Sequence, residues 1–341
     1  MTTQDVLVIG AGPAGAAASI YCAERGLSVA LIDTCPHPHD RPGESLHPGV
    51  EVILRQLGVW DEVLSSNFER YAGHKVSLFG EETFIPFGQD ASGPWLGIQA
   101  NRAIFDAMLV RRAEQLGVRV VSPCKARAPI VEGDRVRGCS TTLGDIEARW
   151  TIDAAGGSHW LARKMQIDVV YDSPKYIAEF GYVRGSSPTL DQCPLFQMDS
   201  SGWTWMAKVG PDLYHWTMLS LSASDTSNGG LPAMLAGLDP VGPRQRSDVS
   251  WRRVDQCAGP GFFIAGDAAF VIDPASSHGV LRALMSGIRA ASYIGQILSG
   301  EAESVCIGEY RQWLHMWYHS ETSQLRQVYQ STGAGVTPVH R

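Results

Sequence analysis

The chain has 341 residues, 44% of them hydrophobic, and its 28 Lys and Arg against 35 Asp and Glu leave a net charge of −7. At roughly 100–200 residues per domain this length calls for two domains or one large composite one, and the apolar share excludes a disordered chain or a small disulfide-stapled scaffold. The acidic balance leaves no broad basic footprint for nucleic acid.

Asp5 followed by Val6, Leu7, Val8 and Ile9 predicts a buried strand over residues 4–10. The MTTQDVLVIGAG start carries no basic n-region and no cleavable signal pattern. Small residues over 16–25 predict a helix with Gly26 as its stop, and 29–32 a second strand ending at Asp33. Residues 34–48, rich in Pro, His and Gly, predict loop, and 50–57 a helix stopped by Gly58. Alternation over 75–79 and 83–85 predicts strands of a separate sheet. Residues 101–116 predict an amphipathic helix with Asn101 as N-cap and Gly117 as stop. Its expected apolar face is Ile104, Phe105, Met108, Leu109 and Ala113.

Further on, 118–121 predicts a buried strand, 126–150 a meander of short strands, and 151–154 one more strand running into Ala155-Gly156-Gly157-Ser158. Residues 176–220 are β-like and aromatic, and 222–249 predict loops and a short helix. A buried strand over 261–265 leads into Gly266-Asp267, a helix is expected over 279–298, and the last long element spans 303–330. No apolar run approaches the ~18 residues of a membrane helix. The seven cysteines stand far apart with no metal-ligand spacing, so a metal site and a disulfide framework are not expected, and reduced thiols in a cytoplasm are.

Gly10-Ala11-Gly12-Pro13-Ala14-Gly15 stands between a strand and a helix, with Asp33 ending the next strand. In that context the first glycine permits a tight turn, the second lets the backbone approach a pyrophosphate, and the third allows close helix–strand packing. The helix start offers free N–H groups to phosphate, and Asp33 can accept from a ribose hydroxyl. The loop by itself does not separate FAD from NAD.

Four segments in order resemble the FAD-dependent monooxygenase superfamily with the p-hydroxybenzoate hydroxylase fold. They are the glycine loop with Asp33; Arg41-Pro42-Gly43-Glu44-Ser45-Leu46; Gln99 to Asp106 around Arg102; and Gly266-Asp267 with Asp273-Pro274-Ala275-Ser276-Ser277-His278-Gly279. The Gly-Glu-Ser-Leu form resembles the branch that includes flavin-dependent tryptophan halogenases and the flavoproteins that mature tryptophylquinone enzymes (lysine ε-oxidase and glycine oxidase maturases). The resemblance implies an α/β fold. A discontinuous FAD-binding Rossmann-like domain of the GR2 type is expected over 1–75, 101–170 and 251–300. An inserted antiparallel β substrate domain is expected over 76–100 and 171–250, and a C-terminal helical tail over 301–341.

FAD is the implied cofactor, with NAD(P)H or a separate flavin reductase as electron source. Gly266 and Asp267 would lie against the ribityl chain and pyrophosphate, and Pro274, Ser277, His278 and Gly279 beside the flavin ring. Arg102 would reach the cofactor from its helix, and Arg41, Glu44 and Ser45 would sit on a loop near it. The bland alternatives are a surface helix arginine for Arg102 and a solvated carboxylate for Glu44. Candidates for moving a proton are His278, His47, His74 and Lys75.

Departures from the halogenase pattern are equally visible. Ser276 stands where those enzymes carry a glutamate, and their hypohalous-acid-capturing lysine corresponds to either Lys75 or His74. Only Trp203-Thr204-Trp205 remains of their Trp-x-Trp-x-Ile-Pro motif. The reading that follows is a cytoplasmic FAD-dependent monooxygenase acting on a tryptophan side chain in a precursor protein during tryptophylquinone biogenesis. The alternatives are a hydroxylase or halogenase tailoring a small or carrier-bound aromatic, a non-catalytic FAD-binding partner protein, and a reductase of isoprenoid double bonds. No nucleic acid and no membrane partner are expected.

Overall fold

The computed structural model describes residues 3–39, 43–221 and 230–333. Its parallel sheet runs Arg119–Val121, Val29–Ile32, Gln4–Ile9, Gly144–Asp153, with Phe262–Ile264 beside the last. Its central strands are short apolar runs, residues 6–9, Val29–Ile32 and Phe262–Ile264, because both faces are covered there, as parallel sheets require. The strand Gly144–Asp153 is longer than the sequence suggested. Its first half pairs antiparallel with Arg135–Thr141, the middle of the expected meander, and its second half completes the parallel core.

Four helices carry most of the remaining packing: α1 (Pro13–Ala23), α2 (Arg102–Gln115), α3 (Gly279–Leu298) and α4 (Glu303–Ser331). Helix α2 begins where expected, with the Asn101 side chain accepting from the Ile104 N–H at 3.1 Å. Phe105, Met108, Leu109 and Ala113 are buried, but Ile104 is 49% exposed, because the apolar stripe is narrower than the sequence pattern. Helix α3 crosses α1 closely at Gly287. Helix α4 is pinned by tyrosines: Tyr310 donates to the Ile264 carbonyl and Tyr318 to Asp172 Oδ2, both at 2.8 Å.

A second sheet of seven strands has the order Asp239–Asp248, Ile177–Arg184, Leu213–Ser220, Gly202–Gly210, Leu195–Asp199, Gly73–Leu78, Glu81–Pro86. It is antiparallel except where Leu195–Asp199 runs parallel to Gly73–Leu78. The strand Gly73–Leu78 crosses the expected boundary between 75 and 76. Asp239–Asp248 replaces the loop expected there. It is an edge strand, exposed along nearly its whole length, with two prolines and no apolar alternation to reveal it. The other edge, Glu81–Pro86, is likewise exposed. Within the expected 34–48 loop, Ser45–Leu46 pairs with Ile98–Gln99.

The sheet's two faces differ. One packs Leu195, Met206, Tyr214 and Trp216 into a separate apolar cluster. The other, carrying Phe180, Phe196, Trp203 and Trp205, faces the glycine loop. No helix among the described residues is long and apolar enough to cross a membrane.

Candidate functional site

Between the start of α1 and the second sheet lies a cavity of about 580 Å³. Gly12, Pro13 and Ala14 bound one end, and Phe180, Trp205, His215 and Thr217 the sheet side. Each glycine of the loop has its own physical reason. A Cβ on Gly15 would stand 1.8 Å from the Gly10 carbonyl oxygen, and one on Gly10 2.4 Å from the Ala154 oxygen. Gly12 meets nothing within 4 Å, because it faces the cavity. Asp33 is buried and does not line the cavity. Its Oδ2 accepts the Ala11 N–H at 2.6 Å and its Oδ1 the Cys35 N–H at 3.0 Å, so it tightens the turn.

Arg102 is not a surface arginine. It is buried, lines the cavity, and pairs with Asp106 through two bonds of 2.9 Å. Glu44 is not solvated either; it is 2% exposed. One carboxylate oxygen accepts from the Tyr182 hydroxyl, and the other lies 3.3 Å from His215 Nδ1 and accepts the Gly43 N–H at 2.9 Å. Ser45 donates to Gln99 and accepts from the Trp205 indole at 2.9 Å. Arg41 lies outside the described residues.

On the far side, Gly266 (φ +61°) and Asp267 line the cavity, and Arg282 reaches Asp267 at 3.2 Å. Asp273 is fully buried, which pushes its carboxyl above the ordinary value. Its Oδ1 accepts the Ala275 N–H, and its Oδ2 accepts from the Tyr329 hydroxyl, fastening the 273–279 turn to α4. Pro274, Ser277 and Gly279 line the cavity, but His278 does not. Its ring points toward α4, where Nδ1 lies 3.2 Å from Glu321.

A smaller cavity of about 300 Å³ shares Phe196, Trp205, Ala275 and Ser277 with the first. Among the described residues, His74 is the single titratable group on its wall besides the Tyr329 phenol. Burial lowers the His74 pKa from its ordinary value, and burial followed by His278 and His74 lowers that of His47. His47 stands off this wall, against Phe87 and His278 with ring centres 5.5 and 5.3 Å away.

Lys75 is adjacent in sequence and opposite in space. Strand neighbours alternate faces, so Lys75 shares its register with Leu195 of the separate cluster and pairs with Glu82 at 3.7 Å. Lys75→Ala is therefore expected to leave turnover within about twofold and stability within about 0.5 kcal/mol, as for an ordinary surface ion pair. Steady-state rates and urea unfolding check this.

Sequence reasoning missed Asp106, Tyr182, His215, Arg282, Glu321 and Tyr329. Asp106 was findable, four residues after Arg102 on a helix. The others come from distant strands and helices and carry no local signal.

The cavity fits FAD. Gly12, Gly156 and Gly279 all line it with open space where a Cβ would stand, leaving bare backbone toward the ligand. Helices α1 and α3 both begin at its wall with no acidic residue in the first turn, so two positive helix ends are directed at the cavity, an arrangement that suits an anionic ligand.

Comparison with known proteins agrees. A family model described as "FAD binding domain" matches residues 3–225. The chain is 28% identical over 347 residues to the 1H-pyrrole-2-carbonyl-[peptidyl-carrier protein] brominase of Pseudoalteromonas luteoviolacea (strain 2ta16), covering 91% of this chain and 82% of that one. It is 26% identical to the tryptophan 2-halogenase of Chondromyces crocatus, over 91% of this chain but 65% of the relative, so it spans about two thirds of that protein's length. The myxobacterial chondrochloren halogenase CndH superposes with a TM-score of 0.87 at 25% identity, covering 99% of this chain and 84% of that one. None of these three is, by its name, a tryptophylquinone maturase, and two are named for a carrier-bound pyrrole and for tryptophan. The chain is an FAD-dependent enzyme with the flavin-dependent halogenase and monooxygenase fold, and it belongs to the FAD-binding-domain family.

Proposed function

We propose that this chain tailors an electron-rich aromatic ring by FAD-dependent oxidative substitution, with FAD in the larger cavity and the ring in the smaller one. The observation that carries the reading is the shared wall of Phe196, Trp205, Ala275 and Ser277, which sets two cavities side by side. FAD, when bound and reduced, supplies the activation of O2. The chain's own residues hold the ring and exclude water from it, and His74 takes the ring proton. Halogen transfer is the outcome that the relatives support. Two features support hydroxyl transfer: Lys75 faces away from both cavities, and Ser276 lines the larger one at the place where the halogenase resemblance implies a glutamate.

The lining of the smaller cavity narrows the substrate. Val76, Leu78, Phe196, Met198, Leu325 and Val328 make it apolar, and among the described residues no Lys, Arg, Asp or Glu lines it. A free amino acid would leave its ammonium and carboxylate unpaired there, which is costly. An aromatic acyl group on a carrier, or an uncharged ring within a polypeptide, meets no such cost.

The test is mass spectrometry of products with FAD, an external flavin reductase, O2 and bromide, offering free tryptophan, a carrier-linked pyrrole or indole acyl group, and a tryptophan polypeptide. Bromine on the carrier-linked ring supports halogen transfer, and one added oxygen supports hydroxyl transfer. No modification of any substrate sinks the proposal. A general base contributes typically ~10²–10⁴-fold, so His74→Ala is expected to lower kcat by about 100-fold or more. A base must be neutral, and burial holds the His74 pKa below its ordinary value. The rate should therefore persist as pH falls through about 6.5, the free histidine value, and decline only below it.

A further inference from the structure

We propose that Glu44, His215 and Tyr182 form a proton store in the sheet-side wall of the FAD cavity, with His215 neutral in the oxidised protein and protonated when the cofactor is reduced. Nothing in FAD binding or in the tailoring reading requires these three residues to meet. They come from the loop before Ser45–Leu46 and from two neighbouring strands, on which Tyr182 and His215 stand directly opposite each other. Tyr182 and His215 converge on the buried Glu44 carboxylate, and both Glu44 and His215 line the cavity.

The geometry assigns the tautomer. Nδ1 lies 3.3 Å from Glu44 Oε2, so it carries the proton and donates, while Nε2, 3.5 Å from Thr217 Oγ1, is the acceptor. Two influences oppose each other at this ring. Burial disfavours the imidazolium, and the Glu44 carboxylate favours it. The other groups facing the cluster are the Tyr182 phenol, 5.1 Å away between ring centres, and Arg102 on α2. The Arg102 charge is matched by Asp106, with Asp267 further off. Burial is the larger influence and holds the imidazole below its ordinary value, so the ring is neutral until a new negative charge in the cavity opposes burial. A negative charge arriving in the same cavity adds to that of Glu44 and raises the imidazole pKa.

Reduction brings that charge. Dithionite, oxidised with two waters to two bisulfites, releases two electrons and two protons; both electrons and one proton would go to the flavin, leaving it one negative charge, and the second proton goes to His215 Nε2. The His215⁺–Glu44⁻ pair then holds that proton at the cavity wall, off the cofactor itself. A merely structural tie between loop and sheet would leave the ring's protonation unchanged.

Nitrogen-15 NMR of histidine-labelled holoprotein tests this at pH 7, in the oxidised state and after anaerobic reduction. One ring is expected to pass from the neutral to the imidazolium pattern on reduction, and that transition is expected to vanish in His215→Gln. Glu44→Gln, which keeps an acceptor for Nδ1 and removes the charge, is expected to shift the transition to lower pH by about one unit or more. Bound FAD and circular dichroism verify that each variant is folded. A transition that persists in His215→Gln, or a His215 ring neutral in both states, overturns the proposal. Neither readout depends on which substrate is modified, so the tailoring reading stands or falls separately.

Discussion

Replacing Arg102 with alanine is expected to destabilise the protein by ~3–5 kcal/mol, the cost of stranding a buried charge. The arginine and Asp106 are 9% and 1% exposed, and two bonds join them. Removing the guanidinium leaves a carboxylate that can neither reach water nor find an equivalent partner. Urea unfolding of Arg102→Ala against the parent measures the loss. Arg102→Met with Asp106→Leu removes both charges and should recover most of the loss. A deficit that the double variant does not recover would mean that lost packing, not the charge, dominates.

Gly287→Ala is expected to cost about 3 kcal/mol or more, with loss of bound FAD, although the substitution adds one methyl group to a helix. Its Cβ would stand 2.1 Å from the Ala14 carbonyl oxygen and 2.9 Å from the carbonyl carbon, both of which are backbone atoms. Helices α1 and α3 cannot keep their crossing, and the displaced residue belongs to the glycine turn that lines the cavity. Overpacking typically costs 1–3 kcal/mol, and a rigid backbone partner puts this site at or above the upper end. Gly12→Ala is the informative contrast. Its Cβ meets no protein atom within 4 Å, so thermal stability without cofactor should be unchanged while FAD affinity falls at least tenfold, because the methyl group occupies the ligand's space. Calorimetry and fluorescence titration with FAD separate the two outcomes. Equal FAD affinity in Gly12→Ala would mean that the ligand does not approach that turn.

The glycine fingerprint and helix α3 were legible because each rests on local chemistry, and the FAD fold because four marked segments in order resemble a known superfamily. A tight turn needs glycine within a few residues, and α3 announces itself by its small and apolar periodicity over 20 residues. The edge strand Asp239–Asp248 was invisible for the complementary reason, since a solvated edge has no buried face to pattern. The tryptophylquinone reading rested on a short motif near the flavin, and the relatives by name favour the halogenase alternative instead.

The catalytic candidates divide along the same line. Residue type in a marked segment nominated His47, His74, Lys75 and His278 together, but type says nothing of direction. A one-residue step along Gly73–Leu78 puts His74 on a cavity and Lys75 on the opposite face, because strand side chains alternate. His278 turns to Glu321, a residue 43 positions away (321 − 278) on the last helix. Glu44 was nominated alone, and its partners His215 and Tyr182 arrive through cross-strand pairing 138 and more residues later. By itself the sequence determined what depends on neighbours along the chain, the turn and its helix, and four such segments in order carried the resemblance that implied FAD. Tertiary structure alone decided which side chains share a wall, because burial and charge pairing act through space and are blind to separation along the chain.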